Sequence, residues 1–502
     1  MSSIEVSCGG KVHAVHVNDS ETLLAALRKA GLTVPAACGG RGKCGKCRVK
    51  INGIARLACK VIPTDGDIVE LPETAGGAIL TETVDIAAPK AAQSGIAAAV
   101  DLGTTTVAVR IYDLKTAAEL KTLSAWNKQA AYGGDVISRI RCTMDEPDSL
   151  HELSKLIRRQ TEDLILKALA DCGREQSELR RAFLAGNTVM QHIFAGYPVR
   201  SIATAPFKPE TLFIAPTGDS LLGAELDYAP CVAGYVGGDI TAGLLASKLC
   251  SAEGSSLFLD IGTNGEMALV SGGRVSCCAV ASGPAFEGAG ISCGMPALTG
   301  AVSHVRYDRG FLYDIVGSGE PVGICGSGLI DLTATLLRLG CIDNGGRLLP
   351  PELAPERLRR YIRPDGQGNG VFYLTQKVYL TAADVRSLQL AKAAVAGGIE
   401  VLLARHGIAA EDLDRVCLAG GFGNYIDPKS AMTIGMLPQL ATERLHSLGN
   451  TSLAGASMAA VDPECRRELR SCAEKCEYIE LSGLREFTGA FTDNMTFDLS
   501  ED

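Results

Sequence analysis

Residues 3–8 and 12–17 alternate apolar and polar side chains around Gly9-Gly10, the period-two pattern of a β-hairpin. Asp19 or Ser20 is the expected cap of a helix that places Leu23, Leu24 and Leu27 on one face. A second hairpin is expected where residues 49–51 and 54–57 flank Asn52-Gly53, a pair that accepts the positive backbone angles of a tight turn. From about Leu71 to Ile96 the chain is rich in Ala, Thr, Gly and Pro without a sustained period, and reads as a linker that lets the first module swing. Beyond it come short, almost wholly apolar runs at residues 96–100, 256–259 and 416–419, the pattern of strands buried on both faces.

Composition narrows the class. With 502 residues the chain is too long for one core, and 46% hydrophobic with 21% charged residues describes packed α/β protein. A net charge of -9 lacks the basic face that non-specific nucleic-acid binding needs. Met-Ser-Ser-Ile-Glu-Val has neither the basic start nor the apolar core of a signal peptide, and no run of eighteen uninterrupted apolar residues occurs. A cytoplasmic protein with no membrane partner is expected. Its 18 cysteines then call for a reducing compartment or a metal. Most, such as Cys142, Cys250 and Cys417, stand singly and are expected to be small buried hydrophobes.

Four cysteines do not stand singly. Cys38-Gly-Gly-Arg-Gly-Lys-Cys44-Gly-Lys-Cys47 is followed by Cys59, which the Asn-Gly hairpin returns towards Cys47. Four thiolates can hold zinc or an iron–sulfur cluster. Zinc sites commonly pair two Cys-x-x-Cys knuckles, and only one is present. The glycines at 39, 40, 42 and 45 let the backbone wrap closely and aim N–H groups at bridging sulfides. The stretch resembles the plant-type and adrenodoxin-type ferredoxins, with five residues in place of four between the first two cysteines. That resemblance implies a β-grasp domain with a [2Fe–2S] cluster on Cys38, Cys44, Cys47 and Cys59.

Two segments of the body look alike. Residues 96–100 lead into Asp101-Leu-Gly103-Thr104-Thr105-Thr106, and residues 256–259 lead into Asp260-Ile-Gly262-Thr263-Asn264-Gly265. In each, a strand ends in Asp and turns through small residues whose N–H and hydroxyl groups suit phosphate, while the carboxylate suits Mg²⁺, usually through water. A third segment, residues 416–419 followed by Gly420-Gly421-Phe422, is a strand ending in a glycine turn that would admit a flat ring such as adenosine. In this order the three motifs resemble the actin, sugar-kinase and heat-shock chaperone ATPases. The resemblance implies duplicated ribonuclease-H-like α/β subdomains that clamp Mg²⁺ and ATP. It also points to Asp239, in Gly237-Gly238-Asp239, as the residue that positions the attacking water beside Asp101 and Asp260.

Ala185-Gly186-Asn187-Thr188, Ser282-Gly283-Pro284-Ala285-Phe286-Glu287-Gly288, Cys325-Gly326-Ser327-Gly328 and Asp384-Val385-Arg386 resemble one branch of that superfamily, the reductive activators of corrinoid-dependent proteins. Membership implies ATP-dependent, one-electron reduction of Co(II) corrinoid to Co(I). Its partners would be the corrinoid protein of a methyltransferase system and an external low-potential electron donor, with a homodimer left open. The resemblance places nucleotide-facing loops at Gly326 and Ser327, and position alone puts Gln389 and Lys392 towards the base. The implied domains are a ferredoxin-type domain at 1–71, a linker at 72–96, a first ATPase lobe at 97–255 and a second at 256–502. Cys465, Cys472 and Cys476 are read as structural thiols, because no fourth ligand is evident. A small-molecule kinase with a redox-sensing domain, an ATP-gated donor to a radical or dehydratase enzyme, and an actin-like scaffold remain as alternatives.

Overall fold

The alternation in residues 2–17 becomes an antiparallel pair, Ser2–Cys8 with Lys11–Val17, and the inward positions Ile4, Val6, Val15 and Val17 are buried. The computed structural model describes residues 2–497 apart from 9, 10, 33, 35, 37, 43–46, 72–92, 146, 147, 263 and 424. These two strands join Ile68–Glu70, Arg48–Ile51 and Ile54–Leu57 in a five-stranded sheet. Asn52 (φ 49°) and Gly53 (φ 80°) both take the left-handed turn geometry that a two-residue hairpin needs. The helix Leu23–Lys29 buries Leu23, Leu24 and Leu27 as its periodicity predicts. Its cap is Thr22, not Asp19 or Ser20: the Thr22 hydroxyl accepts the Ala25 N–H at 3.3 Å, while Ser20 (φ 68°) is spent on the preceding turn. This is the β-grasp arrangement. Most of the expected linker, 72–92, lies outside the described residues.

Two six-stranded sheets follow, built on one plan. In the first, Ile96–Leu102 pairs antiparallel with Thr106–Asp113, which pairs with Glu119–Trp126, while Leu179–Gly186 lies parallel on the other side. In the second, Ser256–Ile261 pairs antiparallel with Gly265–Ser271, which pairs with Arg274–Val280, and Arg415–Ala419 lies parallel on the other side. In both, the Asp is the penultimate residue of its strand. Asp101 stands between Ala108 and Ala185, and Asp260 stands between Glu266 and Ala419. The duplication seen in the sequence is therefore a duplication of topology.

Among the described residues, one compact unit runs to Leu71, resumes through Asp239 and takes in Ala456–Arg466. The other comprises Ile240–Gly455 and the chain from Arg467. The helix Ala382–His406 is long and apolar enough to cross a bilayer, but 78% of its apolar window is buried inside the protein, as a core helix requires.

Candidate functional site

The cluster loop is the first element. Cys47 Sγ and Cys59 Sγ lie 3.3 Å apart, where a strand end meets the 3₁₀ turn Ala58–Lys60. Burial, then the hydrogen bond and charge of Cys47, with a smaller push from Cys38, raise the Cys59 thiol to about 11. Cys47 and Cys59 thus meet, and Cys38 is near enough for its charge to act on Cys59; Cys44 lies outside the described residues. The Gly42 backbone amide partly offsets the rise at Cys59, and Gly39 (φ 66°), Gly40 (φ 97°) and Gly42 (φ 71°) take backbone angles that side chains resist. Paired soft thiols on a glycine-rich loop, with the Gly42 amide beside one sulfur, fit a [2Fe–2S] cluster.

The first Asp hairpin forms the second element. Asp101 and Thr104 are half-buried, and Thr105 is exposed. Gly103 is required by geometry, since a Cβ there would stand 2.8 Å from the Thr106 carbonyl. Side chains that the sequence reading left unassigned hold this turn. Asn187 Nδ2 donates to Thr104 Oγ1 at 3.1 Å while its Oδ1 caps the helix Thr188–Ala195. Asn127 Nδ2 donates to the Gly103 carbonyl at 2.9 Å, and its backbone N–H to Thr105 O at 2.8 Å. The buried Arg139 guanidinium donates to the Thr104 carbonyl and, at 3.2 Å, to Gln129 Oε1. Asp239 enters through two glycines. A Cβ on Gly237 would meet Asn187 Cα at 2.5 Å, and one on Gly238 would meet Gln191 Oε1 at 2.2 Å. Their absence lets the Asp239 end of the helix Gly238–Ala246 pack against the Asn187 turn.

In the other unit, Asp260 closes the equivalent turn, with Gly262 N–H bonded to Asn264 O at 2.8 Å; Thr263 lies outside the described residues. Ser282 Oγ donates to Gly262 O at 3.1 Å, which ties the expected Ser282–Gly288 loop to this hairpin. Across the strand pair Asp260 faces Glu266, where the first hairpin has Ala108, so this turn carries a second acid. Strand register then sets Ala419 beside Asp260 and explains Gly420 differently from the sequence reading. Gly420 (φ 78°) makes room for the carboxylate, since its Cβ would stand 2.3 Å from Asp260 Oδ1. Gly421 is exposed, and among the described residues nothing beyond its own chain neighbours lies within 4 Å of its Cβ position, so of the two glycines it is the one beside open space. Phe422 follows in the same short helical turn. Gly326 opens the helix Gly326–Arg338, and the Ser327 hydroxyl is engaged by Ser303 O at 2.8 Å.

These placements separate two substitutions. Gly421→Val should weaken nucleotide binding about tenfold or more with thermal stability unchanged, because it fills only ligand space. Gly420→Ala should displace Asp260 and lower both stability and hydrolysis. Calorimetric ATP titration and melting curves distinguish them; equal behaviour of the two variants would reject the assignment.

Two expectations are corrected. Gln389 and Lys392 do not serve a base site; they pin the C-terminal segment. Gln389 Nε2 donates to Met495 O at 2.8 Å, and Lys392 Nζ donates to Thr496 O at 2.6 Å, 5.5 Å from the Phe497 ring centre. Cys250, expected to stand singly, neighbours Cys472, which pushes its thiol up, and Cys277 neighbours Cys476, which does the same. These are two thiol pairs, and among the described residues no group of three or more His, Cys, Asp or Glu is arranged to hold a metal ion.

A β-grasp module with converging thiols, followed by duplicated Asp-hairpin sheets, defines an iron–sulfur protein on an actin-like ATPase body. The comparisons place it further. Residues 6–65 match the 2Fe-2S iron-sulfur cluster binding domain, 96–252 the RACo middle region, and 254–501 the C-terminal domain of RACo, the ASKHA domain. The chain is 32% identical to the corrinoid activation enzyme RamQ of Eubacterium limosum over 80% of this chain and 70% of that one. It is 27% identical to the [Co(II) methylated amine-specific corrinoid protein] reductase of Methanosarcina barkeri, over 71% and 68%. A solved structure of a reductive activator for corrinoid, iron-sulfur protein superposes with TM-score 0.69 and 30% identity, covering 99% of this chain and 98% of that one. The chain belongs to the family of reductive activators of corrinoid proteins, with a 2Fe-2S domain and an ATP-binding actin-like domain. The kinase and dehydratase-activator alternatives are not favoured.

Proposed function

We propose that this chain uses ATP to transfer one electron from its [2Fe–2S] centre to a corrinoid protein, taking cobalt from Co(II) to Co(I) for methyl transfer. One observation carries the reading. A pair of close thiols in a β-grasp module and an Asp hairpin present in two copies occupy one chain that aligns over 99% of its length with a reductive activator.

Cys38, Cys44, Cys47 and Cys59 are the ligand set for the cluster, which supplies a one-electron couple when bound. Asp101 and Asp260 hold Mg²⁺, and Asp239 orients the attacking water. Gly103, Thr104, Thr105 and Thr106 of one hairpin, with Gly262, Thr263, Asn264 and Gly265 of the other, offer N–H and hydroxyl donors to phosphate. Gly420, Gly421 and Phe422 border the adenosine, with Gly326 and Ser327 in the first turn of a helix, not in the expected loop; the Ser327 hydroxyl is already engaged, so the backbone of that turn is the part offered to nucleotide. Functionally the chain divides at 1–71, 72–96, 97–255 and 256–502. An external low-potential donor resupplies electrons.

The need for ATP follows from magnitudes. Plant-type clusters sit near about −400 mV, and Co(I) is harder to reach. Nucleotide can help only by binding two conformations differently. Moving a balance from 1:99 to 99:1 takes about 5.5 kcal/mol, which at about 59 mV per tenfold is on the order of 240 mV. Slow, partner-stimulated hydrolysis is therefore expected.

Cys59→Ser supplies the test. It should lose the [2Fe–2S] absorption and all Co(I) formation, yet still hydrolyse saturating ATP, because it lies outside the phosphate hairpins. The assay follows a Co(II) corrinoid protein spectroscopically under anaerobic conditions with chemical reductant and Mg-ATP. Undiminished Co(I) formation by this variant would reject the electron route.

A further inference from the structure

The cluster loop and the first phosphate hairpin belong to the same compact unit, and a continuous set of contacts joins them. It starts at the hairpin. Asn127 holds the Gly103 carbonyl and the Thr105 carbonyl, and Arg139 holds the Thr104 carbonyl between them. Both reach Gln129: its N–H donates to Asn127 Oδ1 at 2.9 Å, and its Oε1 accepts from Arg139 at 3.2 Å. The Gln129 carbonyl in turn accepts the Tyr132 N–H at 2.8 Å, closing the 3₁₀ turn Lys128–Ala131.

That turn is where the ferredoxin module docks. Ala36 N–H donates to Ala130 O at 3.2 Å. Arg28 Nε donates to Ala131 O at 2.7 Å, a second guanidinium nitrogen donates to the same oxygen, and the guanidinium carbon stands 5.0 Å from the Tyr132 ring centre. The same Arg28 abuts the cluster loop, for its Nη2 lies 3.8 Å from the Cβ position of Gly40, which is itself 3.9 Å from Cys59 Cβ. Gly39, next to Cys38, would place a Cβ 3.1 Å from the Tyr132 carbonyl. One cation therefore bonds the turn that the hairpin's own supports hold in place and lies beside the cluster loop.

We propose that residues 127–139 form a strap through which phosphate on the first Asp hairpin is sensed at the cluster, with Arg28 as the positioning residue between them. Phosphate that draws the hairpin amides towards itself tilts the Gly103, Thr104 and Thr105 carbonyls, to which Asn127 and Arg139 are bonded. The turn at 128–132 moves with them, and so does the guanidinium beside the cluster loop. A positive charge nearer the loop favours the more negative, reduced cluster; one farther away favours the oxidised form. Either displacement changes the reduction potential. Linkage makes the effect reciprocal, so cluster reduction must change nucleotide affinity by the same factor.

This deepens the activator reading and rests on it only for its use. The test is a redox titration of the full-length protein, followed by electron paramagnetic resonance of the cluster with and without Mg-ATP. In the wild type a potential shift equivalent to about tenfold, about 59 mV, is expected. Arg28→Ala should keep its full iron content and its ATP hydrolysis rate but lose the shift, while Arg28→Lys, which keeps the charge and loses the fork, should retain part of it. No shift in the wild type, or an undiminished shift in Arg28→Ala, would overturn the strap. The two readings fail separately. A strap-dependent shift without ATP-dependent Co(I) formation would remove the activator reading alone, and ATP-dependent Co(I) formation without any shift would remove the strap alone.

Discussion

Asp101→Ala and Asp260→Ala should each reduce ATP hydrolysis by about a thousandfold or more, the scale of losing a metal ion that stabilises developing phosphate charge. Folding should be nearly unaffected. Both carboxylates are half-buried at strand ends, and the ladders that hold their strands are backbone bonds that alanine leaves in place. The two variants should still differ. Asp101 has alanines on both sides, so its loss removes one anchor outright. Asp260 faces Glu266, which keeps a carboxylate at that turn and should preserve some Mg²⁺ dependence at raised metal concentration. Hydrolysis measured over a Mg²⁺ series checks both points. Wild-type rates in the two variants would reject the assignment of these hairpins to phosphate.

What the sequence made legible was local or repeated. The cluster thiols were visible because Cys38, Cys44 and Cys47 are close in the chain and Asn52-Gly53 allows one way back for Cys59. The Asp hairpins were visible because one motif occurs twice, and the two copies proved to share the order of five of their six strands, with the Asp one residue before the strand end in both. The slip from Asp19 or Ser20 to Thr22 at the first helix is a contest among neighbouring polar residues that only the turn geometry decides.

The rest was illegible because the partners are distant in sequence. Arg28 and Ala131 are 103 residues apart, and Asn187 and Thr104 are 83 apart, so no spacing rule links them. The thiol pairs Cys250–Cys472 and Cys277–Cys476 form across separate elements for the same reason. Gly420 shows a subtler failure. A glycine pair at a strand end signals close approach, and the signal was sound, but one glycine admits Asp260 and only its neighbour faces open space. Gln389 and Lys392 failed through analogy of position. A buried ammonium needs acceptors, and the carbonyls of the C-terminal segment meet that need as well as a nucleotide would.

Asp239→Asn separates binding from hydrolysis. The amide has the size of the carboxylate, so the close packing through Gly237 and Gly238 against Asn187 and Gln191 should persist, and ATP should bind with near wild-type affinity. An amide can orient water but accepts its proton poorly, so hydrolysis should fall by about a hundred- to ten-thousandfold. The informative measurement is the yield of Co(I) per chain in a single pass with chemical reductant and ATP. Nucleotide shifts a conformational balance only through its different affinity for the two states, and that difference is present as soon as ATP is bound. The variant should therefore complete one round of reduction per chain and then stall, since release and reset require hydrolysis. A yield near zero, with ATP demonstrably bound, would show that hydrolysis itself drives the electron. Repeated turnover at the wild-type rate would show that Asp239 has no part in the hydrolytic step, and would leave the attacking water to another residue.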